Sequence, residues 1–568
     1  MSFRSKSSYK SRFFAKNKKI EKEVYVLNEN NKNIICSQSY IGKKGYTIPK
    51  SAITKEEDEF LRKDLFLKPE IQTAFIGGGA AGQEDMAFPV YRESDQKMYI
   101  PRFYGIKRYG FPTGQQPCRI DQGDDIYGVE FSKTLRDYQV KIVDTYINYV
   151  SNQPFGAGGA ILEVPCAAGK TVMALYIISV LKKKTLILVH KEFLMNQWIE
   201  RIREFLPNAS VGKIQAQVVD IENKDIVIGM IQSLYNREST EDLFSSFGFT
   251  IIDEVHRIGS FQFSKTLLKV ITPYMLGISA TVERKDKLTT LLYMFIGDKI
   301  YSEERKHDDF VCVRSIKYFS NNDEFSETEY DKRGNPMYSR MIVKLCEFHP
   351  RTEFILRVVR DLINENNEKQ IMILAHNRSL LTYLHDAIQH REFATVGYYV
   401  GGMKQCDLQE TETKQIVIAT YAMAAEALDI KTLSTLIMVT PKTDIVQSVG
   451  RILRVKHNNP IIVDIVDTHS IFQNQWTQRM QYYKKCNYRI RQISSSQYQT
   501  MSIDWEADTT WKRIFEPKKP CDEVKYKTTN DFFGKNSKKS ITDKEDSHEG
   551  NTIFSKCMID VKDFDEDK

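Results

Sequence analysis

The chain has 568 residues, room for about three or four domains at ordinary sizes, and its 41% hydrophobic and 27% charged composition is that of a globular protein, not a fibrous or disordered one. No run of about 18 apolar residues offers a membrane span, so no membrane association is expected, and the basic N-terminus lacks the apolar stretch of a secretory signal. Net charge is +7, and nine cysteines are scattered without a Cys-x-x-Cys pair. That spacing excludes a zinc or disulfide framework and points to reduced thiols in an intracellular compartment.

Residues 1–20 read as a basic disordered tail. Arg4, Lys6, Lys10, Arg12, Lys16, Lys18 and Lys19 precede the first acid, Glu21, and such a run meets phosphate backbones without sequence preference. Residues 21–130 form an accessory domain, with short strands expected at 24–27, 87–91 and 97–100. The glycine run at 76–82 lacks a Gly-Lys-Thr ending and a following apolar helix, so it reads as a flexible loop.

Residues 131–302 alternate strand-like and helix-like runs, the pattern of an α/β unit with a parallel sheet. Its strands should end at Glu163, His190, Gly229, Asp253 and Ser279, and ligands bind beyond the carboxyl ends of such strands. The first end opens into Pro165-Cys166-Ala167-Ala168-Gly169-Lys170-Thr171 and an apolar helix up to Leu181. A strand, a small-residue turn and Gly-Lys-Thr at a helix start make a phosphate cradle, with backbone N–H groups aimed at the anion. Lys170 can reach the β/γ-phosphates there, and the Thr171 hydroxyl can ligate Mg²⁺. Further on, Phe249-Thr250-Ile251-Ile252 leads to the adjacent carboxylates Asp253 and Glu254. At the end of a buried parallel strand, Asp253 would hold Mg²⁺ and Glu254 would polarise an attacking water.

Residues 303–344 are polar and mixed, a connector with one strand-like piece at 311–318. Residues 345–500 repeat the α/β pattern, with strands expected at 371–374, 394–400, 416–419, 435–439 and 461–466 and no phosphate loop. Residues 517–568, rich in Lys, Asp, Asn and Ser, read as a disordered tail.

Over roughly residues 133–456 the motifs and their order resemble the superfamily 2 DExH helicases, nucleic-acid-dependent ATPases built from two tandem RecA-like domains. Leu135-Arg136-Asp137-Tyr138-Gln139 resembles the segment before the loop, where the resemblance makes Gln139 a reader of adenine. Residues 186–190 through Gln197-Trp198 resemble motif Ia, and 228–234 resemble the next nucleic-acid-contacting strand end. Asp253-Glu254-Val255-His256 resembles the DExH box and Ser279-Ala280-Thr281 the SAT motif. Ile418-Ala419-Thr420-Tyr421 with Glu426-Ala427-Leu428-Asp429 resembles motif V, and Gln447-Ser448-Val449-Gly450-Arg451-Ile452-Leu453-Arg454 resembles motif VI. The Pro-Cys-x-Ala-Gly-Lys form of the loop is similar to the XPB branch. Residues 99–105 and 479–485 are similar to helicases of large cytoplasmic DNA viruses, the poxvirus transcript-release type. Two positions depart from the pattern. Val164 stands where the first loop glycine is usual, which the XPB branch tolerates, and Ala427 replaces the glycine of motif V, which leaves the rate open.

The resemblance implies ATP and Mg²⁺ as cofactors, with Pro165 to Thr171, Gln139 and Asp429 around the nucleotide. It places Arg451 and Arg454 across a cleft as arginine fingers, and has His256, Ser279, Thr281 and Gln447 couple the ATP site to the rest. Gln232, Ser233, Asn377 and Thr420 are candidate backbone contacts to nucleic acid, each balanced between that role and a helix cap. The implied activity is an ATP-driven helicase or translocase, on DNA in preference to RNA and 3′-to-5′. The alternatives are a duplex-remodelling ATPase and a transcription-machinery component that binds partners without unwinding. For a viral protein the expected places are the host cytoplasm and the virion.

Overall fold

The computed structural model describes residues 25–68, 87–154, 158–165, 168–237, 243–257, 260–282, 288–303, 311–426, 430–452, 457, 459–500, 503–505 and 510–517, with the backbone alone for Arg257, Ser260, Gln405, Ala425, Glu426, Gln447 and Arg451. The basic tail 1–20, the glycine run 76–82, Cys166, Ala167, Ala427, Asp429, Arg454 and the chain after 517 lie outside the described residues. Among those described, no helix is long and apolar enough to cross a membrane, and Cys36, Cys118, Cys312, Cys346, Cys406 and Cys486 are free thiols.

The N-terminal domain contains β1 (Tyr40–Gly42), β2 (Gly45–Pro49), β3 (Phe66–Leu67), β4 (Phe88–Pro89), β5 (Arg92–Glu93) and β6 (Lys97–Ile100). Four of them form an antiparallel sheet in the order β1-β2-β6-β5, and β3 pairs with β4 as a separate ribbon. The strand expected at 24–27 is absent from residues 25–27, and β1 and β2 were not foreseen. They are short, and the Gly42-Lys43-Lys44-Gly45 turn interrupts their alternation. Gly45 has φ +98°, and a Cβ there would strike the Ile100 carbonyl, so only glycine closes this hairpin. Ile41, Tyr46, Ile48, Met98 and Ile100 line the inner face, beneath the helices Glu29–Gln38 and Arg102–Tyr109.

This domain is seated on the first α/β unit. Arg102 is buried and donates through Nη1 to the carbonyls of Thr272 at 2.8 Å and Pro273 at 3.3 Å. Phe103 lies against Gly159, where a Cβ would collide with its ring. Asp125 bridges Lys183, and the Ile126 amide donates to the Lys182 carbonyl at 3.0 Å. Within the segment 99–105, singled out by resemblance, Arg102 and Phe103 thus seat one domain on the next.

The first unit holds β7 (Gly159–Glu163), β8 (Thr185–Val189), β9 (Val211–Gln215), β10 (Val218–Val219), β11 (Ile226–Met230), β12 (Phe249–Asp253), β13 (Tyr274–Ser279) and β14 (Lys299–Ser302). Their order is β10-β9-β11-β8-β12-β13-β7-β14, parallel except for the β9–β10 edge hairpin. β8 and β12 are buried along their whole length, as covering both sheet faces with helices requires.

The second unit holds β15 (Cys312–Tyr318), β16 (Gln370–Ala375), β17 (Val396–Tyr399), β18 (Ile416–Thr420), β19 (Leu433–Met438), β20 (Ile461–Asp467), β21 (Arg489–Ser494) and β22 (Lys512–Phe515), in the order β17-β18-β16-β19-β20-β15-β21-β22. All neighbours are parallel except β21–β22. The two tandem parallel-sheet units expected from the sequence are both present. One boundary differs: β15, assigned to the connector, runs inside the second sheet between β20 and β21. The strand itself was expected at 311–318, but its charged residues disguise its place in the sheet. Arg314 is buried because Glu365 takes its two Nη atoms at 2.5 and 2.6 Å. The sheet also continues past residue 500, through β22.

Candidate nucleotide site

Strand order assembles the site. β7, β13 and β12 are neighbours, so the loop after Glu163, the Ser279-Ala280-Thr281 segment and the Asp253-Glu254 pair emerge side by side from one sheet edge. Val164, in the place of a usual glycine, is buried in the core, and its amide donates to the Ser279 carbonyl at 2.9 Å. Its side chain therefore leaves the phosphate side of the loop alone. Gly169 caps the helix Lys170–Leu181 with φ +83°. The first amides of that helix have no partner within it, which is the arrangement an anion completes.

Lys170 Nζ lies 2.6 Å from Glu254 Oε1, so the cradle's cation and the second carboxylate meet directly. Glu254 has φ +48°, a left-handed conformation that costs a non-glycine residue on the order of 1–3 kcal/mol. That turn presents its carboxylate beside the loop. Asp253, one residue earlier, is buried. Burial raises its pKa to about 6, assisted by the charge of Glu254 and opposed by Lys170, the Trp198 indole N–H and the Glu254 amide. The buried Asp253 carboxylate and the Thr171 hydroxyl at the helix start are hard oxygen donors of the kind Mg²⁺ prefers. The residues present therefore fit that ion.

The neighbours extend the site. His256 Nδ1 is 2.6 Å from Ser279 Oγ and 3.4 Å from Glu254 Oε2, and Ser279 Oγ donates to the Thr281 carbonyl at 2.5 Å. A polar chain thus runs from Glu254 to the Ser279–Thr281 segment. Gln139 is engaged at both ends of its amide. Its Oε1 accepts from the Arg136 amide at 3.0 Å, and its Nε2 donates to the Ala168 carbonyl at 2.9 Å. Here it ties its own helix to the phosphate loop. Pro165 lies at the start of the loop, and its carbonyl accepts from the Ala168 amide at 3.3 Å.

The roles of two residues, Trp198 and Glu163, escaped the sequence reading. Trp198 donates Nε1 to Asp253 Oδ2 at 2.9 Å. The signal was available: a buried indole N–H needs an acceptor. Glu163 accepts from the Val282 amide at 2.8 Å, Lys299 Nζ at 2.7 Å and Ser302 Oγ at 2.6 Å. Burial alone would raise its pKa, but these three donors hold it below the usual range. It clamps β7 to β14 and to the end of β13, contacts distant in sequence and invisible there.

The nucleic-acid candidates fall in two pairs. Gln232 follows β11 beside the end of β8, and its Nε2 donates to the His190 carbonyl at 2.8 Å; Ser233 Oγ accepts from the Ala216 amide at 2.8 Å. Asn377 caps the helix Arg378–His390, accepting from the Ser379 amide at 2.8 Å, and Thr420 Oγ1 accepts from the Met423 amide at 3.4 Å. Ala375 and Thr420 are partners across β16 and β18, so these two loops also adjoin. All four side chains serve local structure. Gln447 and Arg451 lie on the short helix Val446–Arg451.

Comparison with known proteins places the chain among relatives. The family profile of the type III restriction enzyme res subunit matches residues 132–284. A putative ATP-dependent RNA helicase of Acanthamoeba polyphaga mimivirus is 33% identical over 503 residues, 87% of this chain and 93% of that protein. A putative ATP-dependent RNA helicase of African swine fever virus is 27% identical over 401 residues, 66% of this chain and 77% of its own. The DNA 3'-5' translocase XPB2 of Sulfurisphaera tokodaii is 33% identical over 185 residues, 32% of this chain and 39% of that protein.

Proposed function

The chain belongs to the superfamily 2 helicases, enzymes that hydrolyse ATP, and from that premise we propose that it is a translocase that moves 3′-to-5′ on DNA. The observation that carries the motor reading is the meeting of the Pro165–Thr171 loop, Asp253-Glu254 and Ser279–Thr281 at three adjacent strand ends. In this reading Lys170 counters the charge of the β/γ-phosphates, and a triphosphate in the loop competes with Glu254 for its ammonium. Glu254, released, orients the attacking water as an acceptor. Thr171 and Asp253 would hold Mg²⁺, which when bound neutralises phosphate charge.

In the same reading Arg451 and Arg454 would meet the phosphates from the second unit. A guanidinium offers a fixed fork of donors and keeps its proton, and as a finger it contributes on the order of 10³–10⁵ in rate. Hydrolysis then requires closure of the two units, and closure alternating with opening moves one unit along a strand. His256 and Ser279 carry the state of Glu254 toward the Ser279–Thr281 segment.

DNA is favoured by the similarity of 185 residues of the chain to a protein named as a DNA 3'-5' translocase. RNA is the second reading, favoured by the name of the mimivirus relative, which covers far more of the chain. ATP hydrolysis measured with single-stranded DNA, duplex DNA and RNA in parallel separates them. Stimulation by RNA alone overturns the DNA assignment. Strand displacement in the same samples separates unwinding from remodelling, and co-purification with RNA polymerase would place the protein in transcription.

A further inference from the structure

The N-terminal sheet has a second face, turned away from its core. Cross-strand register puts Tyr40, Thr47, Tyr99 and Arg92 in one row across β1, β2, β6 and β5. Residues 117–119 run alongside β1, because Cys118 bridges Ile41 in parallel; this register puts Arg119 opposite Gly42, and its guanidinium reaches back over the Tyr40 ring. Successive residues on a strand face opposite sides, so this face carries Tyr40 and Tyr99 while Ile41, Met98 and Ile100 fill the core.

The chemistry of the face is uneven. Arg119 stacks on the Tyr40 ring at 4.0 Å, and Lys97 Nζ stands 5.4 Å from the same ring while donating to the Tyr40 hydroxyl at 3.3 Å. Lys44 Nζ stands 5.4 Å from the Tyr99 ring. Arg92 ends the row, and none of these positions is a carboxylate. Both tyrosines are partly exposed, and each ring is already positioned by a cation, so little freedom is left to lose when a partner stacks there.

We propose that this face binds a single nucleic-acid strand, with Tyr40 and Tyr99 as stacking surfaces for bases and Arg92, Lys97 and Arg119 as contacts to its phosphates. Aromatic platforms inside a positive surface accept any base, because every base has a flat face. The tyrosines stand two strands apart, on the order of 10 Å, well beyond the ~3.4 Å rise of stacked bases, so the bases must be splayed. A duplex keeps its bases stacked and does not fit.

The proposal is independent of the ATP site, and its test separates the two. Binding of a fluorescent oligo-dT 12-mer to the full chain is followed by anisotropy, with strand-free ATP hydrolysis measured on the same preparations. Tyr40→Ala with Tyr99→Ala is expected to weaken binding tenfold or more and leave strand-free hydrolysis intact. Tyr40→Phe with Tyr99→Phe, which keeps both rings, is expected to bind like wild type. Arg119→Gln should lower the salt slope of log affinity by about 0.7. Unchanged affinity in the double alanine variant overturns the proposal, as does an equal loss for a duplex of the same length. Absence of hydrolysis in the wild type would count against the motor alone.

Discussion

At the scale of single residues, the Lys170–Glu254 contact separates two variants. Lys170→Ala should abolish nucleic-acid-stimulated phosphate release with the fold intact, since the main counter-charge in the cradle is gone. Glu254→Gln should still bind Mg-ATP, followed with a fluorescent nucleotide, yet fail to turn over, because an amide keeps the shape and loses the acceptor. Near-normal release in the first, or lost binding in the second, would reassign these side chains. Trp198 offers a subtler check. Trp198→Phe preserves the packing of a ring only 2% exposed and removes the donor to Asp253. The half-saturating Mg²⁺ concentration for hydrolysis should rise about tenfold, the lower end of what losing an orienting partner of a metal ligand costs. The adjacent carboxylates, the lysine and the loop were legible in the sequence because they follow apolar strands without interruption. Trp198 and Glu163 were not, because their meaning lies in partners 55 and more than 100 residues away.

At the scale of elements, β20 carries two buried carboxylates, each met by an arginine. Arg351 and Asp467 are wholly buried, joined at 2.6 and 2.8 Å, and Arg351 also donates to the Val439 carbonyl at 2.8 Å. Arg479 grips Asp464 at 2.8 and 2.9 Å, and the Tyr483 hydroxyl donates to the same carboxylate at 3.1 Å. Removing one partner strands a charge in the core, so Asp467→Ala should destabilise the second unit by about 3–5 kcal/mol. Urea unfolding followed by a probe in that unit should show its transition moved to lower denaturant; an unmoved midpoint would mean that Arg351 finds another partner. These pairs also explain what sequence reading missed here. Strand β20 was found from its apolar run; β15 was found as a strand too, but its place inside the sheet was hidden by Arg314 and Lys317, whose charges suggest a surface until Glu365 is seen opposite Arg314. In the N-terminal domain, strands of three and five residues are too short to announce a period.

At the scale of the whole molecule, catalysis is proposed to depend on two units closing. Arg451→Ala and Arg454→Ala should therefore lower the maximal rate of hydrolysis far more than they raise the Michaelis constant, because their contribution is made to the transition state. The opposite pattern would reject the finger role. The N-terminal domain enters this motion through its seat. Arg102 is held by carbonyls at the foot of β13, and Phe103 rests on the first residue of β7, so neither can shift without disturbing the strands that carry the nucleotide site. A pair of fluorescent labels, one on the N-terminal domain and one on the first unit, should report a constant distance through the ATP cycle, while a label on the second unit should not. The N-terminal sheet then acts as a fixed datum. On the proposed translocation, whatever length of polymer each stroke reels in would be gauged from a mark fixed to the engine.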